Sequence, residues 1–474
     1  MAERRISFSG RFGFVLAAAG SAVGLGNIWR FPYLAAKDGG GIFLLVYLVL
    51  ALTFGFTLLT AEVAIGRKTH QGPLTAYDHL KKGKFSKVLG VLACVVPFLI
   101  LPYYCDIGGW VLKYFIAFLT GHGMEAAEDG YFTGFITGNV EPIIYMLIFL
   151  AIIAVIIYIG VQKGIELSSR ILMPILLVLI IGVSVFSMFI SHTDESGVTT
   201  TGLDGLKVLF IPNFDGMTFS KFLQVVVDAM GQLFFSLSIA MGIMVAYGSY
   251  VRKEANLVKS INQIEIFDTA VAFLAGTMII PAVYVFQGAE GMEASGPSLM
   301  FVSLPKVFAE MGWAGHVVGA VFFAMVLFAA ITSAISILEA VVTSLIDKFG
   351  MSRRKATISE SLVGMLLALL VCFGYNILYF ELPLPTGSTG QVLDVMDYVS
   401  NSVLMPIVAI MTCILVGWIL TPKTVIDECQ LNGEKLGRRG LFSVMIKFVA
   451  PIFLFLLFLK SSGVFQLLGI DIFG

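Results

Sequence analysis

The stretch Gly20-Ser-Ala-Val-Gly-Leu-Gly-Asn-Ile-Trp-Arg-Phe-Pro32 interrupts what is otherwise the first long apolar segment of the chain. Its three glycines weaken a helix. Asn27 and Arg30 add polar groups, and an arginine at the centre of a membrane-spanning helix costs about 2.5–3.5 kcal/mol. Backbone freed from helical hydrogen bonds is tolerated inside a bilayer only where it lines a cavity or is packed within protein. The stretch therefore predicts an unwound helix that holds a polar ligand at mid-membrane.

The composition sets the class of protein. Of 474 residues, 58% are hydrophobic and only 13% are charged, whereas about 45–50% apolar residues are typical of soluble domains. We therefore predict an all-α membrane protein, with residues 1–474 forming a single polytopic domain. The net charge of −1 gives no support to a nucleic-acid partner.

Eleven apolar runs reach the length of about 20 residues that a membrane-spanning helix needs. These predicted spans, numbered 1 to 11 in chain order, cover residues 11–35, 41–66, 88–119, 142–160, 166–190, 219–250, 262–286, 314–346, 357–380, 396–420 and 443–468. Most of the 30 lysines and arginines fall on the side of the N-terminus. The positive-inside rule then predicts a cytoplasmic N-terminus, and the odd number of spans predicts an extracellular C-terminus. We expect a multi-pass protein surrounded by the lipid bilayer of the plasma membrane.

Span 6 repeats the irregularity of span 1. Its segment Gly231-Gln-Leu-Phe-Phe-Ser-Leu-Ser-Ile-Ala-Met-Gly242 has glycines and serines at mid-helix. One glycine-rich membrane helix usually indicates close packing. Two interrupted spans, five helices apart, instead predict two inverted five-helix repeats with a binding site between broken spans 1 and 6. The repeats would cover 11–190 and 219–420, with 443–468 as an additional eleventh helix.

The span 1 motif closely resembles the first-helix signature of the neurotransmitter:sodium symporter family, particularly its bacterial amino-acid transporters. The resemblance extends from Arg5 to about Leu420. It implies a sodium-coupled symporter, not an enzyme, that imports neutral and mainly hydrophobic amino acids by alternating access. A channel would need a selectivity-filter segment, and a hydrolase would need a motif such as HExxH or GxSxG. The sequence contains neither kind of segment. A sodium-dependent carrier or sensor for another small carboxylated amine stays open as an alternative.

The resemblance also implies a substrate site. Backbone amides of the unwound helix and the Tyr104 hydroxyl would bind the substrate carboxylate, although a buried Tyr can also serve packing alone. Carbonyls of span 1 and span 6 would accept hydrogen bonds from the ammonium group. Biogenic-amine relatives carry an Asp near these glycines, whereas this chain has Gly24. The residues implied to contact the substrate are Ala22, Leu25, Gly26, Ile100, Tyr104, Phe235, Ser236, Ser238, Met241, Ser333 and Ile337.

No charged group lies among these residues, so an ionised substrate side chain would be buried unpaired at high cost. We therefore expect neutral substrates. Ala240 stands where the bacterial relatives have glycine, and its Cβ takes up volume. This difference favours aliphatic or methionine-like side chains over the largest aromatic ones.

Two sodium ions are implied, because two groups of hard oxygen ligands match the family pattern. The first comprises Ala22, Asn27, Ser236 and Asp268 together with the substrate carboxylate. The second comprises Gly20, Val23, Ala329, Thr332 and Ser333. Outside this family pattern, Thr332 and Ser333 would be expected to bond to carbonyls of their own helix. Both ion sites therefore depend on the resemblance.

Animal relatives carry Asn at the position of Asp268 and bind chloride nearby. A fixed carboxylate would supply the negative charge that chloride otherwise brings, so we expect transport that is independent of chloride. Tyr47 and Gln232 would then line an empty remnant of the anion site. A helix-capping role is the alternative for Asp268.

Family likeness further implies two gates. Arg30 would pair with Asp397 on the outer side, and Arg5 with Asp347 on the inner side. Ser249 and Tyr250 would support the inner pair, where Phe8 replaces a Trp common in relatives and weakens the latch. The intramembrane acids Glu62 and Glu339 are expected to bond backbone near the break in span 6.

Overall fold

Long apolar helices form nearly all of the structure, a computed structural model that describes residues 7–193, 197–292 and 294–469. Within these ranges, nine helices are long and apolar enough to cross a membrane. They are Gly41–Thr69, Lys84–Leu119, Glu141–Ile159, Val161–Phe189, Leu257–Gln287, Trp313–Phe349, Arg353–Phe373, Val392–Ile419 and Arg439–Ser461. The pair Arg11–Ala22 and Gly26–Lys37, bent by 50°, makes a tenth. The all-helical membrane class is confirmed, whereas the count of eleven spans and the inverted repeats stay predictions.

Span 6 is the predicted span missing from that count, because it is divided into Phe219–Ser236 and Ile243–Gly248. Residues 237–242 between the halves are not helical. Three of them have positive φ: Ser238 at 52°, Ala240 at 62° and Gly242 at 68°. For Ser and Ala, such a left-handed backbone costs roughly 1–2 kcal/mol. Tertiary packing must therefore hold this break open.

Several of the long helices contain a π-helical turn: Gly26–Arg30, Ala51–Gly55, Val161–Glu166, Tyr398–Leu404, Leu415–Ile419 and Met445–Val449. Shorter helices connect the long ones at Pro73–Leu80, Glu125–Ala127, Tyr131–Ile136, Gly202–Phe210, Gly296–Ser298, Leu299–Ser303, Leu304–Glu310, Lys423–Cys429 and Val464–Leu467. Two small antiparallel ribbons pair Ser191–Thr193 with Thr199–Thr201 and Leu382–Pro383 with Thr389–Gly390. Span 9 ends at Phe373 rather than at the predicted residue 380, because the chain turns at Gly374.

Burial distinguishes the inner helices from the outer ones. The most apolar window of Trp313–Phe349, which is span 8, is 83% buried, whereas the corresponding windows of spans 4, 5 and 11 are each 33% buried. In a bilayer, the exposed apolar side chains of those outer helices face lipid. Span 8 therefore lies at the centre of the bundle and forms one wall of the cavity described next.

Candidate substrate and ion site

A small cavity lies where the breaks in spans 1 and 6 meet spans 3 and 8. All eleven residues predicted to contact the substrate line it. The complete lining is Ser21, Ala22, Gly24, Leu25, Gly26, Asn27, Ile100, Tyr104, Phe235, Ser236, Ser238, Met241, Ile243, Ser333, Ser336 and Ile337.

The Tyr104 hydroxyl lies in the wall of this cavity. It is buried, and among the described residues it has no hydrogen-bond partner. A Cβ added to Gly24 would lie 3.5 Å from this hydroxyl and only 2.8 Å from Ser333 Oγ. Glycine at position 24 therefore lets spans 3 and 8 approach the break in span 1. A buried hydroxyl left unpaired is costly, so Tyr104 is positioned for a polar ligand.

The unwound part of span 1 is organised by its own backbone. The Gly24 backbone amide donates to the Ala22 carbonyl at 3.0 Å, and the Asn27 backbone amide donates to the Gly24 carbonyl at 3.2 Å. The Phe235 ring packs against Gly26, where an added Cβ would lie 2.6 Å from the ring. Span 6 thus closes over the segment that contains Leu25 and Gly26.

Three side chains of the first predicted sodium site meet beside the cavity. The Asn27 side-chain amide donates to Asp268 at 3.0 Å, and the Ser236 hydroxyl donates to Asp268 and lies 3.2 Å from the Asn27 side-chain oxygen. The Tyr47 hydroxyl donates to the other Asp268 oxygen at 3.3 Å. Gln232 instead donates to the Gly26 carbonyl at 3.1 Å. Amide, hydroxyl and carboxylate oxygens are hard ligands of the kind that suit Na⁺.

The second predicted group joins span 8 to span 1 close to the same cavity. Ser333 Oγ lies 3.5 Å from the Gly20 carbonyl. The Thr332 hydroxyl donates to two carbonyls of its own helix, those of Phe328 at 3.0 Å and Ala329 at 3.1 Å. A Cβ added to Gly20 would lie 3.2 Å from the Thr332 Cβ, so these helices are close. Val23, also in this predicted set, is fully buried at the break.

The predicted outer gate is not closed by a direct ion pair. Among the described residues, no contact within 4 Å joins Arg30 to Asp397; Asp397 instead accepts a hydrogen bond from Asn401. The Arg30 guanidinium lies against Gly231, 3.4 Å from where a Cβ would be. Arg30 thus lies beside span 6.

At the opposite end of the bundle, Arg5 lies outside the described residues. Its predicted partner Asp347 accepts a hydrogen bond from the Gly72 amide at 2.5 Å. The Phe8 amide donates to the Tyr250 carbonyl at 3.1 Å, and the Phe8 ring makes edge contacts with Tyr247 and Tyr250. The Ser249 hydroxyl bonds within its own helix, to the Ala246 carbonyl. Phe8 is thus anchored on span 6.

The two buried acids differ from each other. Glu62 accepts a hydrogen bond from the Ala240 amide at 2.7 Å, as expected for a residue that supports the break. For Glu339 the expectation is wrong: it accepts from the side chains of Tyr250, Thr343 and Arg353 at 2.6–2.8 Å. The guanidinium of Arg353, at the start of span 9, supplies a charged partner that backbone amides cannot match.

Four cavity residues were not predicted from the sequence as ligands: Ser21, Gly24, Ile243 and Ser336. Ser21 lies inside the span 1 motif, and Ser336 lies one helical turn after Ser333 on the same face of span 8. That spacing was the available signal for Ser336. Ile243 follows the break, and the direction of its side chain depends on the angle at which the helix of span 6 continues after the break.

The chain was compared with known proteins. The model of the sodium:neurotransmitter symporter family matches residues 5–125 and 136–472. An uncharacterised sodium-dependent transporter of Bacillus subtilis is 31% identical over 98% of this chain and 99% of its own length. One from Methanocaldococcus jannaschii is 33% identical over 97% and 91%. A sodium- and chloride-dependent GABA transporter of Rattus norvegicus is 25% identical over 90% and 75%.

A solved structure supports the same relationship. The crystal structure of MhsT in complex with L-phenylalanine is similar to this chain with a TM-score of 0.83 and 34% sequence identity. The similarity covers 97% of this chain and 100% of MhsT.

Proposed function

The chain belongs to the sodium:neurotransmitter symporter family, and from that premise we propose that it imports neutral, mainly hydrophobic amino acids by sodium-coupled alternating access. Two sodium ions accompany each substrate, and chloride is not required. The N-terminus is cytoplasmic and the C-terminus extracellular.

The observation that carries this proposal is the buried Tyr104 hydroxyl, which has no hydrogen-bond partner among the described residues, in a cavity with no charged side chain in its lining. A hydroxyl donor beside an unwound helix suits a carboxylate. With Gly24 in place of an acid, a substrate that lacks a carboxylate has no counter-charge to bind. The same lining disfavours a charged substrate side chain, which leaves neutral amino acids.

Coupling to sodium is supported by the closeness of the first predicted ion site to the cavity. Asn27 and Ser236 line the cavity and also contact Asp268, so a substrate carboxylate in the cavity can share an ion with them. Ion and substrate then each increase the affinity of the protein for the other, by the same factor.

Chloride independence is supported by Asp268, which is fully buried and bonded to Asn27, Ser236 and Tyr47. Its fixed negative charge next to the ion is present whether or not an anion is bound, and charges interact strongly in a low dielectric.

The function is tested by uptake of radiolabelled amino acids into proteoliposomes under an inward sodium gradient. Uptake is expected with sodium, unchanged when gluconate replaces chloride, and absent when potassium replaces sodium. Strong chloride dependence would refute the role given to Asp268. Absence of uptake for all neutral amino acids would refute the substrate class.

Tyr104→Phe removes only the unpaired hydroxyl and is expected to weaken substrate binding by about 1–3 kcal/mol, the cost of one lost hydrogen bond to a charged group. Tyr77→Phe is the matched control, because the buried Tyr77 hydroxyl also lacks a hydrogen-bond partner within the described part of the chain but does not line the cavity. Equal substrate affinities of the two variants, measured by sodium-dependent binding, would remove Tyr104 from the site.

The alternative is a carrier or sensor for another small carboxylated amine, which the likeness to named GABA transporters supports. The same proteoliposomes separate these functions. A sensor binds substrate with sodium but accumulates none, and a GABA carrier is saturated by GABA in preference to leucine or methionine.

A further inference from the structure

Four serine hydroxyls meet at one wall of the cavity. Ser21 Oγ lies 2.7 Å from Ser336 Oγ and 3.1 Å from Ser238 Oγ. Ser333 Oγ donates to the Ser21 carbonyl at 3.2 Å. All four side chains are buried and line the cavity. We call Ser21, Ser238, Ser333 and Ser336 the serine cluster.

The hydrogens of this cluster are all used within the protein. Ser336 donates to the Ser333 carbonyl at 2.7 Å, so the short contact between Ser21 and Ser336 requires Ser21 to donate. Ser238 donates to the Ser21 carbonyl at 3.1 Å, as Ser333 does at 3.2 Å. Each hydroxyl has one hydrogen but two acceptor lone pairs. The cluster therefore offers the cavity acceptors rather than donors.

The Ser238 oxygen is the best placed of these acceptors. Its hydrogen is directed at the Ser21 carbonyl, and within the described part of the chain no other group than Ser21 lies within hydrogen-bond distance of it. The cavity lining also includes the apolar side chains of Ile100, Met241, Ile243 and Ile337. A ligand side chain lying here meets one acceptor in apolar surroundings.

We propose that the preferred substrate carries a hydrogen-bond donor on its side chain, such as a hydroxyl, which the serine cluster accepts through Ser238. The inference rests on the proposed function and narrows its substrate class. A purely apolar side chain would cover the Ser238 oxygen and leave its lone pairs without a donor, which is unfavourable. A site that hydrogen-bonds a substrate hydroxyl discriminates against the analogue that lacks it.

Two isosteric pairs test this inference, threonine against valine and tyrosine against phenylalanine, because the members of each pair have nearly the same shape. Dissociation constants are measured with the purified protein in sodium-containing buffer. In the pair that binds more tightly, the hydroxyl member is expected to bind about five- to tenfold more tightly, a typical net effect of one hydrogen bond. Equal or tighter binding of the apolar member in both pairs would overturn the inference.

Variants locate the acceptor. Ser238→Ala is expected to abolish that preference, so that the hydroxyl and apolar members of a pair bind about equally. Ser238→Gly is the second variant, because glycine adopts the positive φ of this position without strain. Ser169→Ala is the control: Ser169 is buried on span 5, donates to the Ile165 carbonyl and lies outside the cavity lining. A hydroxyl preference unchanged in both Ser238 variants would also overturn the inference.

The test distinguishes failure of this inference from failure of the proposed function. If none of the four amino acids binds in a sodium-dependent manner, the proposed function fails and the inference fails with it. If they bind without a hydroxyl preference, only the inference fails.

Discussion

Single residues determine the shape of the break in span 6. Ala240 has φ of 62°, and its amide donates to Glu62 at 2.7 Å. A left-handed alanine costs roughly 1–2 kcal/mol, so the bond to Glu62 and the surrounding packing must offset that cost. Ala240 also lies next to cavity residue Met241.

Ala240→Gly is therefore expected to leave the melting temperature unchanged or to raise it slightly, because relief of strain is offset in part by about 0.5–1 kcal/mol of glycine chain entropy. Ala246→Gly, in the regular helix Ile243–Gly248, should instead destabilise the protein by about 1 kcal/mol. Thermal melting of both purified variants checks this. If Ala240→Gly destabilised the protein as much as Ala246→Gly does, the result would contradict the backbone strain inferred at Ala240.

Asp268 gives the second prediction at this scale. Asp268→Asn keeps the shape but removes the fixed negative charge beside Asn27 and Ser236. Uptake is expected to fall at least tenfold in gluconate and to recover in part with chloride, since an anion can then supply the missing charge. Asp215→Asn, on an exposed loop, should leave uptake and its chloride independence unchanged. Full activity of Asp268→Asn in gluconate would be the contrary result.

At the scale of helices, the site depends on contacts between spans that are distant in sequence. Span 8 reaches the break in span 1 through Ser333, and span 2 reaches the break in span 6 through Glu62. Irregular backbone at membrane depth is tolerated because neighbouring helices satisfy its polar groups. The intact helices thus hold the broken ones in place.

The double variant Thr332→Ala and Ser333→Ala removes the hydroxyls with which span 8 faces the break in span 1. We expect the sodium-dependent rise in melting temperature to shrink, because a ligand stabilises only in proportion to its binding to the folded state, and uptake to be lost. Thr357→Ala on span 9, whose hydroxyl donates to the Arg353 carbonyl at 2.9 Å, is the control. A normal sodium response in the double variant would disprove the second ion site.

At the scale of the whole molecule, a cluster of charges joins spans 1, 6 and 11. Asp228 contacts Lys460 at 2.7 Å and Lys37 at 3.5 Å. Asp38, which follows span 1, lies next to this cluster and is buried, and one of its oxygens has no hydrogen-bond partner among the described residues. Burial, and secondly the negative charge of Asp228, raise the pKa of the Asp38 carboxyl well above its ordinary value of 3.8.

A carboxyl with a raised pKa in the folded state binds its proton more tightly there than in the unfolded chain. Its contribution to stability is complete below pH 3.8 and is lost as the pH rises through the raised value. The melting temperature should therefore fall as the pH rises from about 4 to about 7, because the pKa of Asp38 is raised from 3.8 to about 7 in the folded state, and Asp38→Asn should flatten this dependence. Parallel curves for the wild type and Asp38→Asn would exclude this role.

The sequence by itself identified the class of fold, the family and the eleven cavity residues implied to contact the substrate. It could do so because the decisive signal is local: glycines, Asn27 and Arg30 within one apolar run. The family resemblance implied that Asn27 and Asp268 belong to one ion site, and the structure brings their side chains within 3.0 Å.

The tertiary structure alone decided which side chains meet across helices. Among the described residues, Arg30 makes no direct ion pair with Asp397. Glu339 binds Arg353 instead of backbone amides, and the Ser21 hydroxyl contacts both Ser336 and Ser238. The structure also shows that span 6 stops at Ser236. Distances between helices depend on the sum of many packing contacts, and no single stretch of the chain records that sum. Short motifs therefore predict which chemical groups form the site, whereas the packing of the helices determines which of those groups form hydrogen bonds with each other.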